Sequence, residues 1–368
     1  MVAKINADTS GGLKITSDTS GSLEIQSAGT TKFTVSSAGV AMPGPLTGLT
    51  SINGGQVGGN RNVIINGAQE VDQRHAGASV PSSSQYVTDR WKVQSAGSAG
   101  DSQQIASTIA GFKSSLKYTG DASIAWNQIG QQIEYKNYAH LVGEDVTISF
   151  YAKANNTNGG STALVLRTRS VTGEDGGALF AGANTDTSVT ISTTAARYTV
   201  ARTIPADSKG FSVEFALGAH VNTDGYEITG IQLELGTVTA FEHRSFNEEL
   251  ALCQRYYEKS YDYDVAVGAA TYVGIHVAGG DVARTAGTSY ISGNNIVFTV
   301  RKRDNPTIVG YDQAGNAGKA QRWQLGSHNT NDQNATIQNA ATRGFFFYSS
   351  GTSNSTGVQM HFTADAEL

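Results

Sequence analysis

The sequence predicts an all-β protein in four parts: an N-terminal intertwined β-repeat stalk, a central jelly-roll β-sandwich, a short bridging helix and a C-terminal β-sandwich. Three observations predict it. Glycine is abundant (43) and proline scarce (5) in a chain of 368 residues. Charged residues make up only 15%, below the usual ~25%, so Ser, Thr, Asn and Gln carry the polarity. Short apolar–polar alternations recur between Gly, Ser and Asn clusters, the pattern of strands joined by turns.

The stalk, residues 1–40, rests on a ten-residue repeat. Leu13, Leu23 and Phe33 align, as do Ile15, Ile25 and Val35, with Lys14, Glu24 and Lys32 at or beside the outward positions. Each unit reads as one strand plus a turn with two inward apolar side chains. Burying two such side chains returns about 3–6 kcal/mol, whereas ordering a backbone costs roughly 1–2 kcal/mol per residue. The unit therefore needs the same face from other chains, and a closed homotrimer is the expected solution. The alternative is a small meander docked on its own chain.

Residues 41–61 form a linker, with two prolines and two glycines in Ala41–Gly48 and four glycines in Ile52–Asn60. Residues 62–246 carry strand signals at short intervals. Val146, Ile148 and Phe150 alternate with Thr147, Ser149 and Tyr151, and Phe211, Val213, Phe215 and Leu217 repeat the pattern, as a half-buried strand requires. The helix is assigned to residues 247–260. Phe246, Leu250, Cys253 and Tyr257 form one helical stripe, and Ser245 with Glu248 is a capping pair. Residues 261–368 return to strands, including Asn295–Arg301, Arg343–Ser349 and Gly357–Thr363, and suit a second sandwich at the tip.

Several classes are set aside. A net charge of −5 argues against a nucleic-acid binder, which needs a basic face. Met1–Ser10 lacks the pattern of a signal peptide. The most apolar stretch, Val265–Ala278, is interrupted by Gly268, Gly274 and His276, so no membrane insertion is expected. The single cysteine, Cys253, forms no intrachain disulfide and is read as core. No nucleophile elbow, phosphate loop or metalloprotease motif is present, and Asp262–Val273 lacks the ligands of a calcium loop. No catalytic residue, metal or cofactor is expected. Paired carboxylates could still cleave glycans. Glu134, Glu144, Asp145, Glu174, Asp175 and Glu214 are read as solvated, and burial of Glu214 would change that.

Three stretches carry a resemblance. Asn62–Arg74 followed by Tyr86–Trp91 resembles the opening of a domain found in bacteriophage tail fibres. Ile231–Phe246, which contains Leu233-Glu-Leu-Gly236 and Phe241-Glu-His-Arg244, runs into Glu248–Tyr257 and resembles that domain's last strand and helix. Thr363–Leu368 resembles the same family's ending. The chain departs from the family at His75, where glycine often follows the arginine. The resemblance implies a trimeric virion fibre or spike, attached to the phage tail or another virion protein through its N-terminal region, with a carbohydrate-binding-module-like sandwich.

Sugar recognition needs flat aromatic faces beside amide and charged groups. Trp126 and Tyr135, near Gln131, Gln132 and Tyr138, are candidates. So are Trp323, flanked by Arg322 and Gln324, and Arg301, which heads the basic run Arg301-Lys-Arg303 that is otherwise read as a solvated face. The expected function is host recognition and adsorption by binding a cell-surface glycan. A purely structural head fibre or adaptor is the alternative, and a glycan depolymerase the third.

Overall fold

The computed structural model describes residues 23–27, 30–36, 39–41, 51–52, 55–56, 61–97, 100–159, 162–177, 179–219, 223–279, 289–290, 294–323, 333–351 and 357–368. The first repeat unit, residues 9–18, and most of the linker lie outside them. The chain divides into two compact units, Met1–Ile52 and Asn53–Leu368.

The first unit contains a three-stranded antiparallel sheet, β1 (Leu23–Ser27), β2 (Thr30–Ser36) and β3 (Gly39–Ala41). The ten-residue repeat sets its register: Leu23 faces Val35 and Ile25 faces Phe33 across the ladder. The repeat thus brings apolar positions of successive units opposite one another, the arrangement that stabilises a strand pair. Ile25 remains 54% exposed. Two-residue strands follow, β4 (Ser51–Ile52) and β5 (Gly55–Gln56).

The centre of the second unit is a sandwich of two six-stranded sheets. The first sheet runs β15 (Ala196–Thr203), β12 (Asp145–Asn155), β17 (Gly225–Leu235), β10 (Ser114–Thr119), β9 (Asp101–Ala106), β6 (Val80–Pro81). The second runs β14 (Ala183–Thr190), β13 (Ala163–Val171), β16 (Gly210–Leu217), β11 (Ile124–Ile133), β8 (Trp91–Gly97), β7 (Gln85–Thr88). All the pairings are antiparallel, and the sequence-distant neighbours β17–β10 and β16–β11 make the crossovers of a jelly roll. Alternation puts Ile148, Phe150, Ile228 and Leu233 of one sheet against Leu166, Val213, Phe215 and Ile129 of the other. Phe150 meets Phe215 edge-on with ring centroids 4.8 Å apart, and Trp91 lies 6.3 Å from Phe215.

Val146–Phe150 is not half-buried as the alternation predicts, because the first sheet's outer face is covered as well. Thr147 is 8% exposed and Ser149 fully buried. The segment after β17 folds back over that face: Thr239 donates to Glu234, and the Glu242 amide donates to Gln232. Phe112 packs there against Tyr151, Phe241 and His243 with its ring tilted to all three.

A four-residue helix, α1 (Tyr135–Tyr138), closes the end of β11. The second helix, α2, is shorter than the sequence predicts. It spans Phe246–Gln254, capped by Ser245, whose hydroxyl accepts from the Glu248 amide. Tyr257 continues the helical stripe but belongs to β18 (Tyr257–Lys259), because that segment pairs with the long strand β28 (Gly357–Asp365). A ladder partner outweighs a local periodicity.

The C-terminal region is built around β28. It also pairs with β19 (His276–Gly279), β22 (Thr307–Tyr311) and β23 (Lys319–Trp323), and β24 (Gln333–Asn334) extends the sheet. A smaller sheet, β21 (Asn294–Val297), β26 (Gly344–Tyr348), β25 (Thr336–Ala341), packs Phe345 and Phe347 against Met360 and Phe362 of β28. Short strands β20 (Ser289–Tyr290) and β27 (Ser350–Gly351) pair beside them.

Candidate functional site

The outer face of the second sheet holds the densest array of groups suited to recognition. Strand alternation explains it. On β11, Asn127, Ile129, Gln131 and Ile133 point inward, and the Asn127 side chain accepts from the Tyr226 hydroxyl at 2.7 Å inside the sandwich. Trp126, Gln128, Gly130 and Gln132 therefore point out. By the same alternation β16 turns Ser212, Glu214 and Ala216 outward, and β13 turns Val165, Arg167 and Arg169 outward.

The ladders align these residues in rows across the strands. One row is Asp186, Arg167, Glu214, Gly130, Lys92; the next is Ser188, Val165, Ala216, Gln128, Gln94. Trp126 stands beside the second row, opposite Ala96, after a register shift in β11. The indole is half-buried.

Hydrogen bonds fix the polar groups. Arg167 donates to both carboxylate oxygens of Asp186 at 2.7 Å and reaches the Gln128 carbonyl at 3.5 Å. Its guanidinium holds the Asp186 carboxyl below the usual carboxylate range. Arg169 Nε lies 3.0 Å from both oxygens of Glu214. Glu214 is completely buried and also accepts from the Ser212 hydroxyl and the Phe180 amide, each at 2.9 Å.

The connection between β13 and β14 makes that burial. Gln132 Nε2 donates to the carbonyls of Asp175 and Gly176, and the Leu179 amide donates back to Gln132. Gly130 permits the close approach: a Cβ there would sit 2.7 Å from both Glu214 Cγ and Leu179 Cδ1. The Gln132 end of the face is therefore covered. The end bearing Trp126, Gln94, Ala96, Val165 and Ala216 is open enough for each to be half-buried. An aromatic ring beside planar amide and guanidinium groups can stack on the apolar face of a ring and bond its hydroxyls.

The four residues singled out from sequence do not form one site. Trp126 is on the face just described. Tyr135 lies nine positions farther along, about 30 Å for an extended chain. It is a wall of the core rather than a free ring: it packs edge-on against Tyr138 at 5.6 Å, and its amide donates to Asp175. Trp323 ends β23, where its backbone pairs with Gly357 of β28, and its side chain falls outside the described residues. Arg301 is exposed, with Nε 3.1 Å from the Thr342 hydroxyl.

The rest of that basic run is not the solvated face expected of it. Lys302 is 1% exposed and 2.5 Å from Glu258, and Arg303 donates to the carbonyls of Ala366 and Glu367. Sequence reasoning missed Gln128, Arg167 and Arg169. Alternation puts both arginines on one face of β13, but nothing local says that β16 and β11 lie alongside.

No family model matches the chain, and no curated protein matches it. Among solved structures, the enzymatically active domain of bacteriophage CBA120 tailspike protein 4 is similar over 47% of this chain, with 14% identity and a TM-score of 0.34. The match spans 21% of that chain. TmCBM61, solved in complex with β-1,4-galactotriose, is similar over 48% of this chain and 99% of its own, with 12% identity and a TM-score of 0.31. The CBM22-1 xylan-binding domain of Paenibacillus barcinonensis Xyn10C is similar over 45% of this chain and 99% of its own, with 17% identity and a TM-score of 0.29.

Proposed function

We propose that the chain is a virion fibre or spike component that binds a glycan on the host surface, through the open end of the second sheet's outer face. The observation that carries the reading is the juxtaposition of Trp126 with the row Gln128, Gln94 and the Arg167–Asp186 pair. The virion assignment is supported by the resemblance of residues 62–74, 86–91, 231–257 and 363–368 to tail-fibre sequences. Single sites on such a face bind weakly, and several copies on one fibre would raise the avidity through effective concentration.

The role we assign is binding rather than cleavage. Of the six acids read as solvated, Glu134 and Glu214 are buried, and Glu134 accepts from Arg255 at 2.6 and 2.9 Å. The Glu214 oxygens accept from Arg169, Ser212 and the Phe180 amide, which ties this side chain to its neighbours in and beside the sheet. A purely structural fibre is the competing reading.

A glycan array followed by host-cell adsorption tests the proposal, comparing the protein with Trp126→Ala. Loss of binding at an unchanged melting temperature is the expected result. Full binding by Trp126→Ala, or no glycan bound by the parent protein, would overturn it.

A further inference from the structure

The other sheet carries a cavity of about 410 Å³, lined by residues of β9, β10, β12 and β17 and the loops at their ends. Its size falls within the range of small-molecule sites, roughly 300–1,000 Å³. Three charged residues lie in register across adjacent strands there. Lys117 of β10 is opposite Glu227 of β17, and Glu227 is opposite Lys153 of β12.

The central carboxylate is fully committed. Glu227 is 4% exposed; it accepts from the Thr108 amide at 2.9 Å and the Thr108 hydroxyl at 2.5 Å, and sits 3.3 Å from Lys153 Nζ. Burial pushes its pKa up, but the hydrogen bonds from Thr108 and Ser115 and the charge of Lys153 outweigh that and leave it below the usual range. Glu227 is therefore ionised, and one of the two lysines is left over. Among the described residues the Lys117 ammonium has no hydrogen-bond or ion-pair partner.

A second group in the cavity is also unsatisfied. Among the described residues no hydrogen-bond donor reaches the buried side-chain oxygen of Asn156. A buried acceptor without a donor carries a penalty of about 1–3 kcal/mol that a ligand hydroxyl can relieve. Ile105 gives the cavity an apolar wall.

We infer that this cavity binds a carboxylated pyranose, its carboxylate on Lys117 and one ring hydroxyl on Asn156 Oδ1. The net charge of the row is one positive unit, which matches a monoanion; a dianion would meet the fixed charge of Glu227. The apolar wall and the orphan acceptor suit a ring bearing hydroxyls, and inorganic phosphate offers neither an apolar face nor the same reach. The site is separate from the second-sheet face, and the inference does not depend on that reading.

Calorimetric titration of the full chain with galacturonate, neutral galactose and inorganic phosphate tests it. Galacturonate should bind, with the neutral sugar and phosphate each at least about tenfold weaker, the loss expected for one charge-assisted hydrogen bond. Lys117→Gln should weaken galacturonate by a similar factor, Asn156→Ala should weaken it too, and Trp126→Ala should leave it unchanged. Galacturonate binding weaker than about 10 mM, an unchanged affinity in Lys117→Gln, or phosphate binding as tightly as the sugar acid would each overturn the inference. An effect of Trp126→Ala on galacturonate would move the binding to the other sheet and overturn it as well.

Discussion

Arg90 and Glu367 form an almost fully buried ion pair between residues 277 positions apart, with side chains 2% and 6% exposed. The Arg90 guanidinium also lies 3.6 Å over the Tyr256 ring. Glu367 takes a second contact from Arg74 at 3.2 Å, and Arg74 reaches Asp365 at 2.9 Å. The pair therefore fastens the end of β28 to the opening segment of the sandwich. Removing one partner of a buried pair leaves an uncompensated charge, typically at a loss of about 3–5 kcal/mol. Glu367→Ala should lower stability by that order in a denaturant titration. A change below about 1 kcal/mol would place the pair among screened surface contacts.

Asp89 gives the same junction a pH dependence. The side chain is fully buried, and desolvation pushes its pKa up to about 7, against the opposing charge of Arg74 and a hydrogen bond from Gln73. The folded value is above the unfolded value of about 3.9, so the native state holds the extra proton between those limits. Stability contributed by that proton is present at low pH and lost as pH rises from about 4 to about 7. Asp89→Asn should flatten this part of a stability–pH profile. An unchanged slope in the variant would assign the dependence to other groups.

Lys259 acts in the opposite direction at higher pH. Burial lowers its pKa to about 8, although Nζ donates to the carbonyls of Tyr263 and Val265 and nearby aspartates oppose the shift. The unfolded chain holds that proton up to about 10.4, so it binds more protons than the native state above pH 8 and stability should rise from about 8 to 10. Lys259→Met should abolish the rise, measured by denaturation at fixed salt. Persistence of the rise in the variant would contradict the assignment.

Much of the architecture was legible because strand alternation is local. Phe211–Leu217 reads as one apolar and one polar face, and the fold uses both. What local pattern could not supply was which strands become neighbours. Arg169 and Glu214 are 45 residues apart and meet only because β13 and β16 pair across the sheet. The stripe ending at Tyr257 was helical by period, yet the pairing with β28 took that residue into a strand. The three stretches that carry the tail-fibre resemblance turn out to converge. The Asn62 amide donates to Glu242, Arg244 donates to the Ile64 carbonyl, Gln73 donates to the Tyr257 carbonyl, and Arg74 pairs with Asp365. Those motifs build a polar junction, so they identified the scaffold and said little about the face that carries Trp126.

The N-terminal sheet yields the last prediction. In β1–β3 the repeat pairs Leu23 with Val35 and Ile25 with Phe33, and Ile25 is left 54% exposed in one copy of the chain. A three-stranded ribbon with an apolar side chain facing water has little to hold it. Packing the same side chains from several copies around one axis covers them without adding a new element, and we propose three copies on that ground. Light scattering should give the full chain a mass three times 38.6 kDa. Deleting residues 1–60 should yield single copies that remain folded, since among the described residues the core clusters contain none before Val63. A full-length monomer would refute self-association through the repeat, and an unfolded truncation product would refute the independence of the remaining chain.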